Sequence, residues 1–197
     1  MKKRFSSCLV ITALVLLISA GSAFAAGDTG NYISSKVGVG YQGMVAGSFL
    51  NGLSVRGWMG DRFGLEGNVF YGRVDANIEH GSETMDLAKA DLLMVEAKAM
   101  YAIVAKNYSK FYVGGKFGYG RLGFTDAPGS IDGSSVLTPG LFIGSEWSFP
   151  QLPEVGFNFD VGYTWFLYNT KVNEDPYLYL NLDMSGVNAT FGIHYYF

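Results

Sequence analysis

The chain has 197 residues, of which 27 are glycine; 16% are aromatic and only 16% are charged. A formal charge of −3 and a single cysteine, Cys8, argue against a nucleic-acid surface, a disulfide framework and thiol chemistry. So little charge beside so much glycine and aromatic surface is unusual for a water-soluble domain.

Residues 1–25 read as a secretory signal peptide. Lys2, Lys3 and Arg4 form a positive start, and "CLVITALVLLISA" supplies the apolar run from Cys8 to Ala20. Ala23 and Ala25 give an A-x-A cleavage pattern before Ala26. The apolar run is too short for a spanning helix, which needs about 20 residues. Cys8 lies inside that run, away from the cleavage site, so it does not point to lipid attachment. The 14 basic residues less these three, against 17 acidic ones, leave residues 26–197 with a net charge of −6. That stretch suits one domain.

From there the chain shows period two, the signature of strands with two unlike faces. In "YISSKVGVGYQG", Ile33, Val37, Val39 and Tyr41 share one parity, and Lys36, Gly38, Gly40 and Gln42 share the other. "GLSVRGWMG" alternates Leu53, Val55 and Met59 with Ser54, Arg56 and Trp58, and "GDR" follows as a tight turn. "FGLEGNVFYGR" sets Phe63, Leu65, Val69 and Tyr71 against Gly64, Glu66, Asn68 and Phe70. The polar stretch from Asp75 to Asp91 reads as a long loop.

Residues 92–104 have helix-favouring composition. Even so, Leu93, Val95, Ala97, Ala99, Tyr101 and Ile103 fall in one register, with Glu96 and Lys98 in the other. We read this segment as a fourth strand. "KNYSK" is a short turn. "FYVGGKFGYG" places Phe111, Val113, Phe117 and Tyr119 opposite Tyr112, Gly114, Lys116 and Gly118, and a loop covers about Thr125 to Ser135. "VLTPGLFIGSEWSF" places Leu137, Leu141, Ile143, Trp147 and Phe149 opposite Thr138, Phe142, Gly144 and Glu146. After the turn "PQLPE", "VGFNFDVGYTWF" alternates from Val155 to Trp165, with Asn158 and Asp160 in its polar register, and "NTKVNEDP" reads as a loop. The last segment ends "VNATFGIHYYF", where Val187, Ala189, Phe191, Ile193, Tyr195 and Phe197 share one face. Upstream, Leu178, Leu180, Leu182 and Met184 take the opposite parity. The switch predicts a β-bulge at Ser185-Gly186; alternatively, the upstream part rises above a membrane, where facing matters less.

Eight segments of about 9–11 residues, with short turns alternating with longer connections, predict an all-β fold: an eight-stranded antiparallel up-and-down transmembrane barrel over residues 26–197. The charges test this. Arg56, Glu66, Glu96, Lys98, Lys116, Glu146 and Asp160 all oppose the apolar register. A basic residue facing lipid at mid-membrane costs about 2–4 kcal/mol, so these seven are expected to form an ion-pair network in the lumen. Phe63, Phe111, Trp147, Phe149, Tyr195 and Phe197 are expected at the periplasmic rim, and Tyr41, Tyr71, Tyr119 and Trp165 at the outer one.

This pattern of signal peptide, eight alternating strands and a closing strand ending in Phe197 resembles the small outer-membrane β-barrel superfamily of the OmpA and OmpX type. The resemblance implies a cell outer-membrane location in a diderm envelope. Outer-membrane lipid and lipopolysaccharide would then surround a monomer. It also implies that Phe191, Ile193, Tyr195 and Phe197 form the C-terminal signal for the barrel assembly machinery. It implies no particular activity, because one fold hosts many.

No motif rises to a catalytic, metal or cofactor site. Gly38, Gly40 and Gly43 match G-x-G-x-x-G, but a dinucleotide site needs a helix to follow. His80 and Ser82, with Glu79 and Glu83, would make a catalytic group, yet they fall in a predicted loop. His194 stands alone in the inward register, and the loop acids Asp126, Asp132, Glu174 and Asp175 have no ligand spacing. The expected role is structural or surface interaction, with outward loops as the contact surface and no enzyme activity. One alternative is a small-solute pore, in which inward glycines such as Gly38, Gly114, Gly144, Gly156 and Gly192 leave a water path. The other is a lipid-modifying enzyme.

Overall fold

The computed structural model describes Ile33 and residues 36–45, 49–80, 83–125, 131–172 and 179–197. The expected signal peptide, residues 1–25, lies outside them, as do Ser82, Asp126, Glu174 and Asp175. The side chains of Glu79, His80, Glu83 and Asp132 are likewise not described. The described chain is almost wholly strand: β1 (Val37–Val45), β2 (Phe49–Met59), β3 (Phe63–His80), β4 (Glu83–Lys106), β5 (Ser109–Thr125), β6 (Ile131–Leu137), β7 (Gly140–Phe149), β8 (Leu152–Val172) and β9 (Tyr179–Tyr196). Residues 92–104 are strand throughout, despite their helix-favouring composition. Pairing with neighbours on both sides outweighs local preference there.

Every described pairing is antiparallel, and β9 returns to β1 through Gly40↔His194 and Tyr41↔Ile193. The sheet closes and leaves no edge at membrane height. β6 and β7 both pair with β5 and β8, so together they form one stave and the barrel has eight. The stave is interrupted at Thr138-Pro139, where proline lacks a ladder donor. It stays attached: Thr138 N–H donates to Gly118 O at 2.9 Å, and Trp165 N–H donates to Pro139 O at 3.0 Å.

Short turns at residues 60–62, 107–108 and 150–151 share one end of the barrel with Val37 and Phe197. At the other end the structure corrects the sequence reading. Most of the stretches read as loops continue as paired strand. β3 and β4 stay paired out to His80↔Glu83, and β8 and β9 out to Lys171↔Tyr179. β4, at 24 residues, is more than twice the length needed to cross a membrane. The alternating pattern is lost there because, beyond the membrane, lipid no longer selects an apolar outer face. The hairpin of β1 and β2 is the short one and turns after Val45↔Phe49.

The bulge predicted at Ser185-Gly186 is absent. β8 and β9 keep one unbroken register from Val155↔Tyr195 to Lys171↔Tyr179. Asp183, Met184 and Ser185 are all exposed, so this part of β9 has lost its inside–outside distinction, as the alternative reading required. Bulges occur instead near Ala76/Asn77, Ala102/Val104, Asp132/Ser135 and Ser148/Phe149. Ile33 is a second correction. It was expected on the apolar outer face, but it lies fully buried inside the barrel. Val37, from the same register, is nearly covered, with its side chain across Gly57.

Burial is otherwise inside out. The apolar registers of every stave lie on the outer surface, including Leu53, Leu65, Tyr101, Val113, Ile143, Phe159 and Ile193. Val187 is 73% exposed and Phe197 67%. Such a surface would aggregate in water, and it matches a hydrocarbon solvent. Aromatics ring both ends of this belt. Trp147 and Phe149 pack on Phe157 at centroid distances of 6.3 and 5.7 Å, and Tyr163 meets Trp165 edge-on at 5.2 Å. Ile143, paired with Val161, lies midway between those groups. Replacing Ile143 with arginine should cost about 2–4 kcal/mol in equilibrium unfolding from lipid vesicles. A loss well below 1 kcal/mol would mean that this face does not meet lipid.

Candidate functional site

The inward registers converge on a polar lumen. Cross-strand pairing sets its central row: Arg56 on β2 faces Glu66 on β3, Glu66 faces Lys98 on β4, and Lys98 faces Lys116 on β5. Two further acids approach from the opposite wall, Glu146 on β7 and Asp160 on β8. These six side chains are buried, as is Glu96 on β4, the seventh charge expected in the lumen.

Arg56 occupies the centre. Its guanidinium pairs with Glu66, lies 3.4 Å from Glu146 Oε2 and 3.9 Å from Asp160 Oδ2, and donates to the Tyr112 hydroxyl at 3.1 Å. The planar fork is suited to this, because it presents several donors in fixed directions. Lys98 forms the second node. Its Nζ lies 2.8 Å from Asp160 Oδ2, 3.1 Å from Glu66 Oε1 and 3.9 Å from Glu96 Oε1. Lys116 Nζ completes the row 3.6 Å from Glu96 Oε2. Neutral donors hold the acids in place. Trp58 Nε1–H donates to Glu146 at 2.7 Å, Tyr112 O–H to Asp160 at 2.5 Å, Thr190 O–H to Asp160 at 2.9 Å and Asn68 to Glu66 at 2.7 Å; Tyr196 O–H also donates to Glu146.

The seven charges read from the sequence sum to −1. The structure adds Lys110, which is buried directly opposite Glu146 in the ladder. Its Nζ donates to Asp61 O at 2.8 Å and lies 4.6 Å above the Trp58 ring. With it, four cations match four carboxylates among the described buried residues, and the interior is formally neutral. Lys110 was missed because it sits in the turn-like string "KNYSK". Its parity with Tyr112 and Lys116 was the signal available. His194 is also buried, with Nε2 2.8 Å from Ser54 Oγ, so it serves as a hydrogen-bonded interior group.

The inward glycines do not leave a channel. Large side chains lie across them. A Cβ on Gly144 would meet the Tyr112 ring at 2.5 Å, and one on Gly156 would come within 2.7 Å of the Tyr196 ring and 2.8 Å of Glu146 Oε1. The gap bounded by Lys98, Lys116, Asp160 and Asn188 has no room for a water molecule. Two apolar clusters bracket the polar layer. Trp58, Met100, Ala102, Tyr112, Phe142, Tyr196 and Ile33 pack toward the short turns, while Met44, Leu50, Phe70 and Met94 pack toward the opposite end. Glycine in the wall thus makes room for aromatic and charged side chains in a narrow barrel.

Phe191, Ile193, Tyr195 and Phe197 do not join the lumen. They are exposed along the outer face of β9, the strand that closes the ring. No group of three or more potential metal ligands occurs among the described residues.

No protein-family model and no curated protein matches the chain. Solved structures do. The outer membrane protein OprG from Pseudomonas aeruginosa superimposes with a TM-score of 0.51 at 15% identity, over 86% of this chain and 99% of that one. A major outer membrane protein from Thermus thermophilus gives 0.47 at 15% identity, over 82% of this chain and 99% of that one. Ail, the attachment invasion locus protein of Yersinia pestis, gives 0.41 at 16% identity, over 82% and 97%. At 15% identity the likeness to OprG is one of architecture. It agrees with what burial says independently: this chain has the fold of the small eight-stranded outer-membrane β-barrels.

Proposed function

We propose that the protein is an integral outer-membrane barrel with a structural or surface-interaction role. Its sealed interior makes it a rigid anchor, and the strand extensions and connections at the end away from the short turns form its contact surface. The observation that carries this reading is the filled lumen. A pore needs a continuous water path, and here a neutral network of eight charged side chains, with aromatic layers, occupies the space where that path would run. The protein acts in this reading without enzyme activity and as a monomer, surrounded by outer-membrane lipid and lipopolysaccharide.

Two experiments test this reading. The purified barrel should require detergent or lipid, run at heat-dependent positions on a gel, and give no steps of conductance in planar bilayers. Steady channel currents would replace the anchor reading with the pore. Phe191, Ile193, Tyr195 and Phe197 are the proposed signal for the barrel assembly machinery. Deleting Phe197 should lower the folded yield in cells while leaving refolding from urea into detergent unchanged, and an unchanged yield in cells would remove that role.

A further inference from the structure

Ile33 lies four positions before Val37, where β1 begins. Pairing along the barrel wall reaches one residue beyond β1, since Trp58 N–H donates to Lys36 O at 3.1 Å. Continuing the same period would place Ile33 on the outer face with Val39 and Tyr41. Instead it is fully buried in a cluster with Trp58, Met100, Tyr112 and Tyr196, all of which point into the lumen. These side chains belong to the short-turn end. Trp58 stands two residues before Gly60 of the first turn, and Tyr196 is the penultimate residue.

We propose that Ile33 is a stopper: its side chain closes the short-turn mouth of the lumen. The layer beneath it is the one most sensitive to water. Trp58 and Tyr196 both donate to Glu146, which also faces Arg56 at 3.4 Å. Admitting water would raise the local dielectric and weaken those contacts. Burying one isoleucine favours the closed form over the open one by about 10- to 100-fold. That ratio keeps the mouth shut at rest. The closure rests on the geometry of the barrel and is independent of whether the protein acts as an anchor.

Trp58 reports on this directly. The chain has three tryptophans, and Trp147 and Trp165 are on the outer face. With both replaced by phenylalanine, Trp58 fluorescence in the folded, detergent-solubilised barrel should be poorly quenched by acrylamide. Ile33→Asp should raise that quenching several-fold while heat-dependent gel mobility still shows a closed barrel. Unchanged quenching in a folded Ile33→Asp barrel would overturn the proposal. Should Ile33→Asp fail to fold, an Ile33→Cys variant carrying Cys8→Ser settles the point. Its thiol should react with a water-soluble maleimide at least about tenfold more slowly in the folded barrel than after heat unfolding, as expected from the burial ratio. Equal rates would overturn the stopper.

Discussion

Arg56 is the residue on which the rest of the interior depends. Its guanidinium faces Glu66, Glu146 and Asp160, which come from three different staves. Removing one partner from a buried charge cluster typically costs about 3–5 kcal/mol, because the remaining charges are left uncompensated away from water. In a soluble protein, an apolar core of the same shape would often be as stable. Here the outer face is already given over to hydrocarbon, so the interior is where charge can sit. The interaction of β2 with β7 and β8 across the lumen also draws together walls that share no backbone hydrogen bonds.

The packing follows from that arrangement. A narrow barrel can hold a guanidinium, two ammonium groups and several aromatic rings in one layer only if other wall positions give up their side chains. Gly144 and Gly156 do so, beneath Tyr112 and beneath Tyr196 with Glu146. Lys110 brings the formal charge to zero and rests over Trp58. Apolar clusters then cover the polar layer at both ends. The result is a cylinder filled across its lumen, whose wall continues into the long paired extensions of β3, β4, β8 and β9.

Much of this was legible in the sequence, because a membrane barrel imposes one strict rule on each stave. Strands such as "VGFNFDVGYTW" alternate strictly, since one side must be apolar and the other does not touch lipid. Placement of Arg56, Glu66 and Asp160 opposite that apolar register is a matter of parity, and parity survives any error in strand ends. Legibility fails where the rule stops applying. Beyond the membrane, residues 75–80 and 83–91 lack the alternation although their backbone goes on pairing, so they resemble a loop. At Ser185-Gly186 the change of apolar parity marks the loss of facing and not an extra residue. Ile33 keeps the right parity by chance and leaves the wall altogether. Lys110 is disguised by a polar turn. Which carboxylate each cation reaches across the lumen is a three-dimensional fact that parity does not contain.

The central claim is that the lumen is held by a coupled network of buried charges, and a double-mutant cycle between Arg56 and Glu66 tests it most directly. Arg56→Met, Glu66→Gln and the double variant would be compared by equilibrium unfolding in the same lipid or detergent. The network predicts strong coupling: the double variant should be more stable than the sum of the single losses implies, by about 2 kcal/mol or more. Additive losses, within about 0.5 kcal/mol, would contradict the account.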